Sequence, residues 1–383
     1  MIKDTLNDVS SYQIMGVLGL LVVLAYQVIQ YQVRARALRL EKQKVKELYG
    51  DEDFKFQVKS VGNDFDWTKE NPRAYRPFKK GPYNLTMGIK NISDEDWLLV
   101  ENTYLKSTNE RQKILEDEYK AGKTLISNPD GADGVNEFYD VALDYMMQRY
   151  PMYFYEKPNE PGYIYNAIRN ESIFKTSAQY NGNLRLLIKT LSRHLEEDFL
   201  IMKKSDKDDE YYLRGGAFVF PSGLDPSKKA NLSLQDIHGP VPYYKEKIQK
   251  SMDKFFERFK IGKFVMRINW TCQAHTHRYA VGLNHAYNNE EKPEVLKAEN
   301  LDFENGVFLR NERQCLTRLP KSKVIVFTIR TYLTPIAQLK REGETGLDLA
   351  SAIENLPPTT AIYKTSTVWG QAIIDYIRNY WFY

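Results

Sequence analysis

Cysteine is almost absent from this 383-residue chain: Cys272 and Cys315 are its two thiols. Two cysteines exclude a disulfide framework and a four-cysteine zinc site, and fit unpaired core thiols in a reducing compartment. Charge of one sign is also scarce. Lys and Arg total 54 against 50 Asp and Glu, a formal net charge of +4. Without a concentrated basic excess, no nucleic-acid partner is expected. There is no Gly-rich phosphate loop, G-x-S-x-G elbow, H-E-x-x-H or Rossmann fingerprint, so the usual enzyme signatures are missing. Only one long apolar run is present, which excludes a polytopic membrane protein.

That run, IMGVLGLLVVLAYQVI, covers residues 14–29 and lies in an uncharged stretch from residue 9 to 33. Residues 12–31 supply the roughly 20 residues a helix needs to cross a bilayer. Tyr12, Tyr26 and Tyr31 include interfacial anchors. A cleaved signal peptide is the alternative. It suits the flank poorly, because Asp4 and Asp8 offset Lys3 and no small-x-small cleavage site follows. After the run come Arg34, Arg36, Arg39, Lys42, Lys44 and Lys46. Positive charge stays on the cytosolic side. The expected order is therefore a luminal or exterior stretch 1–11, a single-pass anchor 12–31, a basic stalk helix 32–50 and a domain 51–383. That domain is expected to face the cytosol, from the endoplasmic reticulum membrane. The stalk reads equally well as a solvated stop-transfer segment or a lipid-binding helix. Sequons at Asn84, Asn91, Asn170, Asn231 and Asn269 argue for the opposite side, although Asn269 sits in an apolar strand-like run where a glycan is hard to place.

With 27 Tyr and 18 Phe, the rest of the chain has ample material for a large core. Residues 50–86, rich in Pro, Asp, Asn and aromatics, read as irregular. Ser93-x-x-Asp96 ahead of Trp97-Leu98-Leu99-Val100 is a helix-start pattern, and predicts helix through Tyr119. Further helices are expected over 135–149, 181–200, 244–259, 347–356 and 371–381. Strands are expected over 211–220, 264–272, 307–309 and 323–332. Helices first and strands later predict an α+β fold with an antiparallel sheet, undivided by any repeat or long linker.

Single residues stand out less clearly. Gly239, Pro240 and Pro242 fix the backbone around His238, which suits either an axial metal or haem ligand or a turn held by hydrogen bonds. His275 and His277 in an H-x-H pair, with His285 eight residues on, read as loop histidines more readily than as metal ligands. Glu196, Glu197 and Asp198 read as a solvated helix end, or as buried acids facing a pocket. Arg310, Arg313, Gln314 and Arg318 precede a buried strand and suit a carboxylate clamp or a salt-bridged corner.

In order along the chain stand Met87-Gly88-Ile89, Asp96-Trp97-Leu98, Tyr104, Glu197-Asp198-Phe199 and Ile237-His238-Gly239-Pro240-Val241-Pro242. Arg267-Ile268-Asn269-Trp270, Glu312-Arg313-Gln314, Arg318-Leu319-Pro320 and Phe327-Thr328-Ile329-Arg330-Thr331-Tyr332 follow. This series, over residues 70–370, resembles the haem-dependent oxidative N-demethylase α-subunit-like family. The segment Arg76-Pro77-Phe78 with Gly81-Pro82-Tyr83 looks like its membrane-anchored fungal branch.

The resemblance implies a PAS-like antiparallel sheet with flanking helices that carries haem b. It implies a monooxygenase that uses O2 and externally supplied electrons to demethylate a small amine or related substrate. The electrons would come from a separate flavin or iron–sulfur partner protein. His238 becomes the expected axial ligand to iron. Arg267, Arg313 and Arg318 become expected propionate or oxygen-site contacts, with Arg313 also a catalytic candidate beside Glu197 and Asp198, which would orient a cationic amine. A non-catalytic haem sensor or carrier on the same scaffold is the alternative.

Overall fold

The computed structural model describes residues 2–78, 80–284 and 294–379; His285 and Trp381 lie outside the described residues. The chain divides into two units, Met1–Glu52 and Asp53–Tyr383. In the first, helix α1 (Ile2–Tyr49) runs unbroken from the apolar segment into the basic one. From Met15 it is long and apolar enough to cross a membrane, and none of its apolar window is buried. It is thus a candidate for a single membrane anchor. A helix suits that role because every backbone polar group away from its ends is satisfied within it.

In the second unit, the described residues of 53–89 contain no helix or strand. Strand β1 (Lys90–Asn91) is followed by α2 (Tyr104–Glu116), α3 (Glu118–Thr124), β2 (Leu125–Ser127) and α4 (Ala132–Arg149). A small antiparallel sheet comes next, of β3 (Phe154–Tyr155), β4 (Tyr163–Asn166) and β5 (Glu171–Phe174). Then come α5 (Leu184–Ser192), β6 (Asp198–Lys204), β7 (Tyr211–Ala217), β8 (Ser222–Gly223) and α6 (Leu234–His238). A π-helical turn, Tyr244–Ile248, leads into α7 (Gln249–Arg258), β9 (Phe264–Gln273) and β10 (Ala280–Val281). The longest strands, β11 (Phe308–Arg318) and β12 (Ile325–Pro335), precede α8 (Ile336–Arg341), α9 (Glu344–Glu354), α10 (Pro358–Tyr363) and α11 (Ser366–Asn379).

Seven strands form one sheet in the order β1-β9-β11-β12-β6-β7-β2, and every neighbouring pair is antiparallel. Successive side chains of a strand point to opposite faces, so the long strands feed two cores. On one face Phe199, Ile201, Met266, Cys315 and Val326 pack with α4 and α5. On the other, Leu200, Met202, Val265, Leu316, Ile325 and Ile329 meet Leu234 of α6, Tyr244 and Ile248 of the π-turn, and Met252 and Phe256 of α7. The C-terminal helices close a third core around Leu349, Trp369 and Ile373.

Three sequence expectations need correction. Ser93 does cap, accepting from the Glu95 amide, but it opens one 3₁₀ turn, Asp94–Asp96. Trp97–Val100 that follows is not helical. All four residues are buried, and side chains take its backbone groups: Leu99 N–H donates to Glu197, Val100 N–H to the Tyr150 hydroxyl, and Trp97 and Leu99 carbonyls accept from Arg313 and Arg330. With those partners, no helical ladder is needed. The helix predicted over 181–200 ends at Ser192, and Asp198–Lys204 is strand β6, buried on both faces at its start. The stretch from Arg310 to Arg318 does run into the expected strand, β12, but is itself most of β11, where strand was expected over 307–309 alone.

Candidate functional site

His238 ends α6, and its environment follows from local sequence. Ser233 caps that helix by accepting from the Asp236 amide, and Gly239 follows His238. One turn back, the Leu234 carbonyl lies 2.8 Å from His238 Nδ1. A carbonyl only accepts, so Nδ1 carries the proton and Nε2 keeps its lone pair. Among the described residues Nε2 has no hydrogen-bond partner. The ring stacks on Tyr244 with centroids 5.1 Å apart. Burial lowers the pKa of the imidazole; the Leu234 hydrogen bond opposes this, and the charges of Arg267 and Lys229 add to the lowering. The imidazole is thereby held neutral, the form that binds a metal.

Arg267 lies on β9, on the face it shares with Val265 and opposite Gln314 of β11. Its Nε is buried without a partner, and among the described residues its guanidinium has no hydrogen bond or ion pair. The residue as a whole is half-buried, and burial lowers its pKa although Tyr83 and Glu312 oppose that. Beside it runs a polar row on the same face. Asn269 and Gln314 donate to Glu312 Oε2 at 3.3 and 3.0 Å. Lys364, buried between α10 and α11, donates to the Trp270 carbonyl; burial pulls its ammonium down to about 8, with Glu312 opposing. On the sheet face that carries Val265, Met87, Ile89, Ile237, Val241 and Phe327 form a partly buried apolar layer on the core of Leu200, Leu316 and Ile325.

The remaining candidates are engaged elsewhere. Glu197 is buried and bonds Arg330 at 3.0 Å, and Arg330 also pairs with Glu101 at 2.7 Å and with Glu196. Asp198 accepts from the Val219 and Phe220 amides at 2.7 and 3.0 Å and pairs with Arg111 at 2.7 Å. Burial still raises its pKa, and that of Glu196. Arg313 donates to the Trp97 and Asp96 carbonyls, and stands opposite Arg330 in register. Both therefore occupy the face away from Arg267. Arg318 donates to the Phe259 and Lys323 carbonyls and to the Tyr211 hydroxyl.

His275 and His277 lie just beyond β9 with rings 5.7 Å apart, and His275 Nε2 is 2.9 Å from Asn284 Oδ1. Among the described residues, no group of three or more His, Cys, Asp or Glu is placed to hold a metal ion. Cys272 and Cys315 are buried and free. Sequence reasoning missed Lys364, which carries no signal in Thr359–Thr367-type polar surroundings, and left Glu312 without a role although it sits inside a motif.

A family model described as haem-dependent oxidative N-demethylase, alpha subunit-like, matches residues 88–374. The match spans every strand of the large sheet, His238 and Arg267, and starts beyond α1. The chain therefore belongs to the haem-dependent oxidative N-demethylase alpha-subunit-like family.

Proposed function

We propose that this protein binds haem b, which His238 would hold through its iron and Arg267 through a propionate, and oxidises an amine or related small substrate with O2. The observation that carries the reading is the His238 Nδ1 hydrogen bond to Leu234, which leaves Nε2 available on an imidazole that feels the charge of Arg267, whose Nε is buried without a partner. These residues fit the group. A tautomer fixed by a backbone carbonyl is the usual support of a ligating histidine. A guanidinium matches a carboxylate in geometry and charge. The partly buried apolar layer suits the face of a macrocycle.

When bound, haem supplies the one-electron and dioxygen chemistry. The chain's own groups do the rest. Leu234 and the Tyr244 ring hold the imidazole plane. Glu312, fixed by Asn269 and Gln314 through one oxygen and 3.6 Å from Arg310 through the other, places a negative charge on the same face of the sheet as Arg267. Glu197, Asp198, Arg313 and Arg318 act on the frame: they bind the backbone of the segments they touch and so keep β6, β9 and β11 in place. Electrons come from a separate flavin or iron–sulfur partner protein. The basic flank of α1 supports a cytosolic position for the second unit, where such partners are found.

The test is the absorption spectrum of the full chain, purified with haem supplied, beside His238→Ala and Arg267→Gln. A Soret band is expected in the parent and should be lost or shifted in His238→Ala. Arg267→Gln should keep the parent's band position but release haem about tenfold faster or more, the scale of one charged hydrogen bond. A folded parent without haem, or an unchanged His238→Ala spectrum, would sink the reading. With a reductase supplied, formaldehyde release across an amine panel then separates an oxidase from a haem carrier.

A further inference from the structure

We propose a second binding site, for an anionic amphiphile with a single long alkyl chain, in an open groove of about 860 Å³ between α7 and the β1–β9 edge of the sheet. Its volume is in the range of small-molecule sites. Of the described residues, neither His238 nor Arg267 lines it, so it is distinct from the proposed haem site.

Phe54, Ile92, Phe255, Phe259 and Val265 supply its apolar lining, with Asn91 and Ser251 among the polar residues beside them. The aromatic positions are built in. Phe255 and Phe259 lie one turn apart with ring centroids 4.7 Å from each other. Phe54 stands edge-on to Phe56 at 5.1 Å and covers Gly262, where a Cβ would come within 2.9 Å of its ring. Gly262 has φ +72°, so a side chain there is opposed by both backbone and ring.

The rim has the opposite character. Lys254, Arg258 and Lys263 line the groove and are exposed, and among the described residues none has a carboxylate partner. Asp94 also lines it, but its carboxylate is engaged by the Ser93 hydroxyl and the Glu95 amide at 3.2 and 3.0 Å. Lys and Arg lay apolar stems along a greasy wall while keeping the charge in water. Unpaired cations over an aromatic floor match a ligand with an alkyl chain and an anionic head. A neutral chain leaves the rim unused, and a small polar anion leaves the floor wet. Long-chain carboxylates and single-chain phosphate esters both have that chemistry.

The test uses the full chain in phosphatidylcholine nanodiscs, labelled by light with a diazirine-bearing long-chain fatty acid and mapped by peptide mass spectrometry. Label is expected within residues 251–265. Excess oleate or oleoyl lysophosphatidate should compete it away, and whichever competes better identifies the head group. Oleyl alcohol should compete poorly. Combined Lys254→Ala, Arg258→Ala and Lys263→Ala should weaken labelling about tenfold, as three exposed ion contacts together would, while Ser251→Trp, at an exposed position lining the groove, should abolish it by filling the space. Label confined to α1, equal competition by oleyl alcohol, or full labelling of the triple variant would each overturn the proposal.

Discussion

Two histidines in this chain have opposite fates, and the difference lies in their hydrogen-bond partners. His238 gives its Nδ1 proton to a carbonyl and keeps Nε2 open. His194 instead faces the Asn166 amide at 3.1 Å through Nδ1, with Glu171 3.5 Å from Nε2. Burial, helped by the charges of Arg169 and Arg193, pushes its pKa down to about 3. An unfolded chain binds that proton near pH 6.5. The stability it contributes is therefore fully present above pH 6.5 and is lost progressively as the pH falls toward 3. Glu196 and Asp198, whose pKa values are raised by burial, act with the opposite sign, because the folded state takes their protons first. Comparison of parent with His194→Gln isolates the histidine. Between pH 6 and 4 the parent should lose stability more steeply than the variant, by up to about 1.4 kcal/mol per pH unit. Parallel urea-unfolding midpoints across that range would remove His194 as the cause.

At the scale of elements, periodicity was a good guide where a segment packs on one face and a poor one where it is buried all round. The helix expected over 135–149 is α4, and the strand expected over 264–272 is β9 within a residue. The segments Trp97–Val100 and Asp198–Leu200 are wholly buried, so they carry no alternation, and length and partners decide their form. Arg313 makes the same point: in sequence it suits a carboxylate clamp or a structural corner, and its donors meet the main-chain carbonyls of Asp96 and Trp97. The β6–β7 pair depends on a single glycine. Gly216 has φ +126°, and a Cβ there would meet the Phe199 carbonyl at 2.0 Å. A register shift lies at Ile201/Met202 in the same pair. Gly216→Ala should cost at least about 1–3 kcal/mol from backbone strain alone, lowering the thermal midpoint of the full chain. A midpoint within error of the parent would mean that the pair bends without that glycine.

For the whole molecule, the open matter is which side of a membrane the second unit occupies. Six basic residues after the apolar run argue for the cytosol, and five sequons for the lumen. The structure adds one relevant contact: the Asn269 amide bonds Glu312 inside the sheet, so that sequon cannot carry a glycan in the folded state. Expressed in microsomes with a sequon-bearing tag ahead of Met1, the chain should be glycosylated on the tag alone. Glycans on Asn84 or Asn170 with a bare tag would reverse the topology.

The sequence by itself determined the apolar helix, the α+β class and the family, because each is written in local runs or in the order of short motifs. It also singled out His238, since glycine and proline fix the chain around it whatever lies elsewhere. What only the tertiary structure decided was the division of labour among the charged residues. Glu197, Asp198, Arg313 and Arg267 look alike as buried-motif charges. Which of them is neutralised depends on the sheet face it occupies and on carbonyls and carboxylates as much as 217 residues away. Strand register sets that face, and register is a property of pairing between distant segments, which no single stretch of sequence contains.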